Sequence, residues 1–274
     1  MKKSPTPARE GNDPPVLIER RAAVALLTLN RPEKLNTLSE AMLAALTAAI
    51  RDLSADGTIA ALVICARGKA FSAGHDLREL TARRGDPDGG KAYFADIMRR
   101  CARLMQAIVA SPKPVIAAVE ATAVAAGCQL VATCDLAVAA KEARFGTTGI
   151  NNGLFCSTPM VPLSRNVPQK RALEMLMLGG LISAEDAERY GLVNRVVPQS
   201  EVIPTAITMA EIIASKSKAA IALGKRAFYQ QLERGLEGAY GLTGETMACN
   251  LGLPDAAEGI DAFLGKRAPV WQSP

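Results

Sequence analysis

Two stretches of this chain place small residues where a backbone amide could reach a ligand: AFSAGHDL at 70–77 and ATAVAAGCQL at 121–130. Each follows a buried-looking strand. The Ala73-Gly74 pair permits a turn that presents the amide of His75. Ala125-Ala126-Gly127 leads into a helix starting near Gly127, which puts the Ala126 amide at a helix N-terminus. There the unpaired N–H groups and the helix dipole favour negative charge. Two such amides converging on one oxygen make an oxyanion hole. Taken singly, either run reads more readily as a packing device.

Side-chain chemistry nearby is thin. His75 is the sole histidine, so a Ser-His-Asp triad would have to use it; a satisfied or ligand-facing imidazole is the simpler reading. Asp76 suits bracing the turn better than acting as a base. Cys156 reads as a structural thiol, because no base is adjacent in sequence to activate it. His75-Asp76-Leu77-Arg78-Glu79 is not an HExxH motif, and no metal-ligand spacing occurs. The six cysteines form no CxxC pair, and most lie within apolar runs. They read as buried free thiols of a reducing compartment.

Strands must end just before those amides to aim them. Residues 16–20 and 24–30 read as two strands, broken by Arg31-Pro32. Met42, Leu43, Leu46, Ala49, Ile50 and Leu53 share one face of a helix over 39–53. A short strand at 61–66 is followed by an irregular stretch at 69–80, a loop at 85–90 and a helix over roughly 91–110, stopped at Ser111-Pro112. Residues 114–140 make a second strand–loop–helix–strand pass. Such alternation predicts an α/β fold with parallel strands. Beyond Pro168 the pattern is nearly all helix, with a capping box at 183–186 and one short strand at 192–197. After Glu201 only helical patterns remain, interrupted at 235–244 and at Pro254. The expected division is a disordered tail over 1–14, an α/β core over 15–200 and a helical region over 201–274.

The totals fit this plan. The 274 residues suffice for one large domain with a proper core. Apolar residues at 49% and charged ones at 22% exclude a disordered chain, and aromatics at 4% require an aliphatic core. The net charge of +5, without a run of like charges, does not argue for nucleic acid and suits an anionic small ligand. No apolar stretch is long enough to span a membrane, and the N-terminus lacks a secretory h-region. A cytoplasmic location is expected, or the mitochondrial matrix in a eukaryote.

AFSAGHDLREL (70–80) with PVIAAVEATAVAAGCQLVATCDLAVAA (114–140) resembles the paired signatures of the crotonase superfamily, the enoyl-CoA hydratase/isomerase family. The likeness runs from VLIERRAAVALLTLNRPEKLNTLS (16–39) to EGIDAFLGKRAPVW (258–271). GINNGLFCSTP (149–159) with GCQLVATCD (127–135) resembles the narrower enoyl-CoA hydratase domain-containing subgroup of mitochondria and its bacterial relatives. The resemblance implies a ClpP/crotonase-like α/β fold: a spiral of β-β-α units with C-terminal helices that form homotrimers, often paired into hexamers. It implies an acyl-CoA thioester as substrate, with coenzyme A entering as part of it and no separate cofactor. The thioester oxygen would bind between the amides of His75 and Ala126. Lys34, Leu35, Ala73, Asp76, Leu77 and Arg78 would lie along the ligand, with Asn151 and Phe155 from a later loop. Phe263 and Lys266 match positions that contact coenzyme A, commonly from a neighbouring subunit.

The departures from that pattern matter most. Hydratases of the family flank the reacting water with two glutamates; the matching positions here are Gln129 and Gly149. An amide takes up no proton at neutral pH, and glycine offers no group. General acid–base groups typically contribute about 10²–10⁴-fold. One reading is therefore an acyl-CoA enzyme, nominally an enoyl-CoA hydratase, that keeps the enolate-stabilising hole. Decarboxylation of a malonyl-type CoA, or thioester hydrolysis with a water held by Gln129, would need less acid–base help. A reading of a different class is a CoA-ester-binding protein with little turnover. An RNA-binding member would want a dense basic helix, and the Lys and Arg residues here are scattered.

Overall fold

The computed structural model describes residues 13–272. The tail expected over 1–14 therefore lies almost wholly outside the described residues. Its last two, Asp13 and Pro14, offer carbonyls to the Arg31 guanidinium at 2.7 and 3.3 Å.

The chain opens with β1 (Val16–Arg21) and β2 (Val24–Leu29), an antiparallel hairpin. Helix α1 (Glu40–Ala55) starts where the Ser39 hydroxyl accepts the Met42 amide, and it buries the apolar stripe from Met42 to Leu53. Three passes follow, each made of a longer strand, a three-residue strand and helix. The first is β3 (Ala61–Ala66), β4 (Ala70–Ser72), α2 (Leu77–Ala82) and α3 (Lys91–Ala110). The second is β5 (Val115–Val119), β6 (Thr122–Val124) and α4 (Ala126–Thr133). The third is β7 (Leu136–Ala140) and β8 (Arg144–Gly146), then α5 (Met160–Asn166) and α6 (Gln169–Leu178). The fold is thus a coil of β-β-α units.

The longer strands, with the three-residue β10 (Arg195–Val197) at the edge, join one sheet in the order β1-β2-β3-β5-β7-β10, parallel from β2 onward. The short strands stack into a second sheet, β4-β6-β8-β9, closed antiparallel by β9 (Ile182–Ser183). Helix α7 (Ala184–Arg189) follows β9, its N-terminus capped by the Ser183 hydroxyl, which accepts the Asp186 amide at 3.0 Å. Strand β5 is buried throughout and β7 nearly so, as strands of a covered parallel sheet are. Their alanines give a low surface for α8 (Val202–Ala214), which buries Val202, Ala206 and Ala210. Phe71 and Phe145 are the bulky fully buried aromatics, one on β4 and one on β8.

The stretch 69–80, expected to be irregular, holds β4 and α2. Strands of three residues carry no periodicity, and β4 is fixed by its parallel neighbour β6. Of the interruption expected at 235–244 only the start is seen, with Gly235 as the N-cap of α10 (Leu236–Leu251), which then runs through its three glycines. Helices α9 (Lys218–Gln231) and α11 (Pro254–Leu264) complete the chain. Lys225 ties α9 to the core, its ammonium donating to Asp135 Oδ2 at 2.7 Å and to the carbonyls of Ile108 and Lys113. Tyr229 donates to the other Asp135 oxygen at 2.8 Å. Five cysteines are buried; Cys249 is exposed, because α10 buries no residue in this chain.

Candidate functional site

Strands β4, β6 and β8 are parallel neighbours, so the segments leaving them emerge at one edge of the small sheet. Ligands of parallel sheets bind beyond the carboxyl ends of the strands. Here those segments are the turn 73–76, the Ala125-Ala126 step and the loop 147–157.

Gly74 has φ +88°, a conformation that disfavours any side chain. A Cβ built there would lie 2.9 Å from the Ala125 Cβ and 3.0 Å from the Ala126 nitrogen. The turn that carries the His75 amide therefore lies directly against the Ala126 amide. Ala125 holds φ 50° and ψ −122°, a strained conformation for a residue with a Cβ. Its own amide donates to Gly146 at 2.9 Å, and the step turns the chain into α4. The amides of His75 and Ala126 donate to no described group, the latter being the first of the helix. Gly127 packs so closely on the Ser72 carbonyl that a Cβ would overlap it.

The segment containing Lys34 and Leu35 is locked to the same turn. Ala73 donates to the Leu35 carbonyl at 3.0 Å, and Leu38 donates to that of Gly74 at 2.7 Å. Fully buried Asn36 pins this segment, donating to Arg67 and Ala70 and accepting from the Arg31 amide. The sequence reading passed over Asn36; its left-handed φ of 50°, which asparagine tolerates, is invisible without the fold. Asp76 caps α2, accepting from Arg78 and Glu79 at 2.9 and 3.4 Å. Leu77 and Arg78 are exposed beside it.

Gln129 sits one turn into α4 and is 4% exposed. Its Oε1 faces the Cys101 thiol of α3 at 3.8 Å. Gly149 lies in a 3-10 turn, Thr148–Asn152, where a Cβ would stand 2.5 Å from the Leu154 carbonyl and 2.8 Å from Cys156 Sγ. The loop is closed over that position, so an acid there has no place to start from. Asn151 spends its amide on the Gly179 carbonyl at 3.0 Å and holds the loop, while Phe155 is exposed. Burial raises the Cys156 thiol, partly offset by the Gly149 backbone. Burial likewise pushes the His75 imidazole below its ordinary range, weakly opposed by the Leu38 backbone.

The nearby carboxylates are engaged. Glu79 accepts the Glu40 amide at 3.0 Å, and Glu40 and Asp96 both hold Arg100. Among the described residues, no cluster of His, Cys, Asp and Glu could hold a metal ion. Phe263 and Lys266 stand apart on α11 and just past it. Phe263, 81% exposed, edges a hollow of about 400 Å³ shared with Trp271. The arrangement sets the Gly74-His75 turn against the Ala126 amide, with the nearby carboxylates already engaged.

The sequence profile of the enoyl-CoA hydratase/isomerase family matches residues 19–274. The human mitochondrial enoyl-CoA hydratase domain-containing protein 3 is 45% identical over 263 residues, covering 96% of this chain and 85% of its own. A putative enoyl-CoA hydratase of Thermus thermophilus is 37% identical over 246 residues, covering 90% and 96%. The crystal structure of an enoyl-CoA hydratase from Mycobacterium smegmatis superposes with a TM-score of 0.90 at 51% identity, covering 94% of this chain and 99% of that one.

Proposed function

Since the chain belongs to the enoyl-CoA hydratase/isomerase family and has its crotonase fold, we propose that it handles acyl-CoA thioesters by stabilising an enolate between the His75 and Ala126 amides. The approach of Gly74 to the Ala126 nitrogen carries this reading. The thioester oxygen accepts from both amides, and negative charge developing on it is met by donors already in place. Losing one such donor typically costs about 10²–10³ in rate.

Hydration in the manner of two glutamates does not suit this site. Gln129 cannot exchange a proton, and the crowding at Gly149 leaves no room for a carboxylate. The reaction that most needs the hole and least needs a base is decarboxylation of a malonyl-type thioester, in which departing CO₂ leaves the enolate electrons behind. Thioester hydrolysis is the other chemistry the site supports without that pair. A second reading, acyl-CoA binding with little turnover, is favoured by the inward-facing Oε1 of Gln129.

Lys34, Leu35, Ala73, Asp76, Leu77, Arg78 and Phe155 line the approach of coenzyme A in this proposal, with Phe263 and Lys266 reaching a neighbour's ligand. That arrangement requires a homotrimer, alone or paired into a hexamer, which light scattering reads as mass. The five buried free thiols fit a reducing compartment, cytoplasm or mitochondrial matrix. Among the described residues, no helix is long and apolar enough to cross a membrane.

The functional test incubates the protein with crotonyl-CoA, methylmalonyl-CoA and a saturated acyl-CoA, following each by mass spectrometry. Loss of CO₂ supports an enolate-stabilising enzyme, and free coenzyme A a hole that stabilises the tetrahedral oxyanion of hydrolysis, each without the acid pair. Rapid hydration of crotonyl-CoA refutes the argument from Gln129 and Gly149. Binding without conversion favours the second reading.

A further inference from the structure

Lys113 and Lys225 both sink their side chains into the protein, and the fold treats them differently. Lys225 has a counter-charge, its ammonium lying 2.7 Å from an Asp135 carboxylate oxygen. Lys113 is 8% exposed and forms no ion pair among the described residues. Its ammonium donates to the Leu53 carbonyl at 2.6 Å and to the Asp56 carbonyl. A lysine is almost never so buried without an opposite charge beside it.

The end of α1 accounts for part of this. A helix C-terminus carries roughly half a negative charge, which suits one cation. Lys218, in the first turn of α9, brings a second ammonium to the same end and donates to the Gly57 carbonyl at 2.6 Å. The Asp56 carboxylate does not balance the pair. It is spent on Arg20 and on the Thr58 amide and hydroxyl, at 2.9 and 2.6 Å. An excess of roughly one and a half positive charges is left. Burial pulls the Lys113 ammonium below its ordinary range, Asp56 opposes this, and Lys218 and Arg20 add to it.

Both lysines line one cavity of about 410 Å³, between the end of α1, the last turn of α8 and the start of α9. That is the size of a small-molecule site. Most of its wall is apolar, with Ile59, Pro112, Ile213 and Ile221, and no Asp or Glu is among the described residues that line it. An ammonium carries three N–H donors; the carbonyls take two from Lys113 and one from Lys218, so others remain for a ligand. Ile59 and Pro112 precede β3 and β5. The cavity therefore lies at the amino edge of the large sheet, whereas the His75 and Ala126 amides stand at the carboxyl edge of the small one. We infer that it binds a small organic carboxylate with a short apolar chain, its head between Lys113 and Lys218 and its chain along Ile59, Ile213 and Ile221. A bare phosphate leaves the apolar wall uncovered, and an alcohol leaves the charge unbalanced. This site is separate from the acyl-CoA reading and does not depend on it.

The test is calorimetric titration of the full-length protein with hexanoate, hexanol and inorganic phosphate. Hexanoate should bind with a dissociation constant of about 1 mM or tighter. Hexanol and phosphate should each bind about tenfold more weakly, the scale of one charged hydrogen bond or of the buried chain. Lys218→Met, on a half-exposed side chain, should weaken hexanoate by about tenfold, and Lys113→Met at least as much. Excess hexanoyl-CoA should leave hexanoate binding unchanged. Displacement by hexanoyl-CoA, or equal affinity in Lys218→Met and the parent, puts the carboxylate elsewhere and overturns the inference. Hexanol or phosphate binding as tightly as hexanoate overturns the ligand class, and no binding of hexanoate overturns the site. The ranking and the displacement use the unaltered protein, so a variant that fails to fold does not blunt the test.

Discussion

The carboxyl edge of the small sheet and the three C-terminal helices are built on opposite plans. At the sheet edge, main chain meets main chain with nothing to spare: Gly74 on Ala126, Gly127 on Ser72, Gly149 on Leu154. In α9, α10 and α11 the few buried side chains are small or polar, and large apolar ones such as Leu236, Tyr240 and Phe263 lie more than 70% exposed. The first region is finished within one chain. The second presents apolar surface that a monomer leaves in water, which is how an interface between subunits looks before assembly. In the trimer proposed above, that exposed surface is where a neighbouring subunit would sit.

Glycine replacement gives the largest contrast. Gly127→Ala drives a methyl into the Ser72 carbonyl and should destabilise by more than about 4 kcal/mol, while Gly224→Ala, with open space on α9, should stabilise by up to about 1 kcal/mol. Denaturant midpoints of the two variants measure this directly; similar shifts would erase the distinction. Next comes the tie between the regions. Lys225→Met leaves the mostly buried Asp135 carboxylate with Tyr229 and the Val115 amide but no counter-charge, and should cost about 3–5 kcal/mol in the same assay. A loss below about 1 kcal/mol would mean the helices are held by packing alone.

Ala125→Gly relieves a backbone conformation that alanine resists and should raise stability by about 1 kcal/mol, a rise of a few degrees in Tm. No gain would place the strain elsewhere. The smallest effect expected is a pH dependence localised to the sheet edge. Burial lowers the pKa of His75, the only histidine, so as pH falls below about 6.5 the unfolded chain takes up a proton that the folded chain refuses. Its contribution is full above that pH and is lost progressively down to the folded-state pKa. Urea midpoints at about pH 7.5 and 5.5 should differ in the parent protein and differ less in His75→Asn; an equal difference in both would assign the titration to carboxylates.

Patterns long enough to repeat were legible in the sequence. Helix α1 announces its stripe from Met42 to Leu53, and β5 and β7 read as buried runs because both faces of their sheet are covered. Strands β4, β6 and β8 were opaque, since three residues have no period and exist as strands only through one another. The glycines of α10 read as an interruption, yet each costs only about 1 kcal/mol in a helix that α9 supports. The small residues flanking Gly74 and Ala126 marked two turns, and the structure packs Gly74 against the Ala126 nitrogen. That no acid stands at position 149 was equally plain, but not the reason none fits: that depends on where Leu154 and Cys156 return, a loop geometry no residue type encodes by itself.

The paired amides belong to every residue type except proline, so their presence is indifferent to which side chains stand at 75 and 126. Mutation can strip away carboxylates one codon at a time, but it reaches these donors only by bending the chain that bears them. Under the proposed function, a lineage built this way exchanges one reaction for another while the charge-stabilising donors are inherited intact.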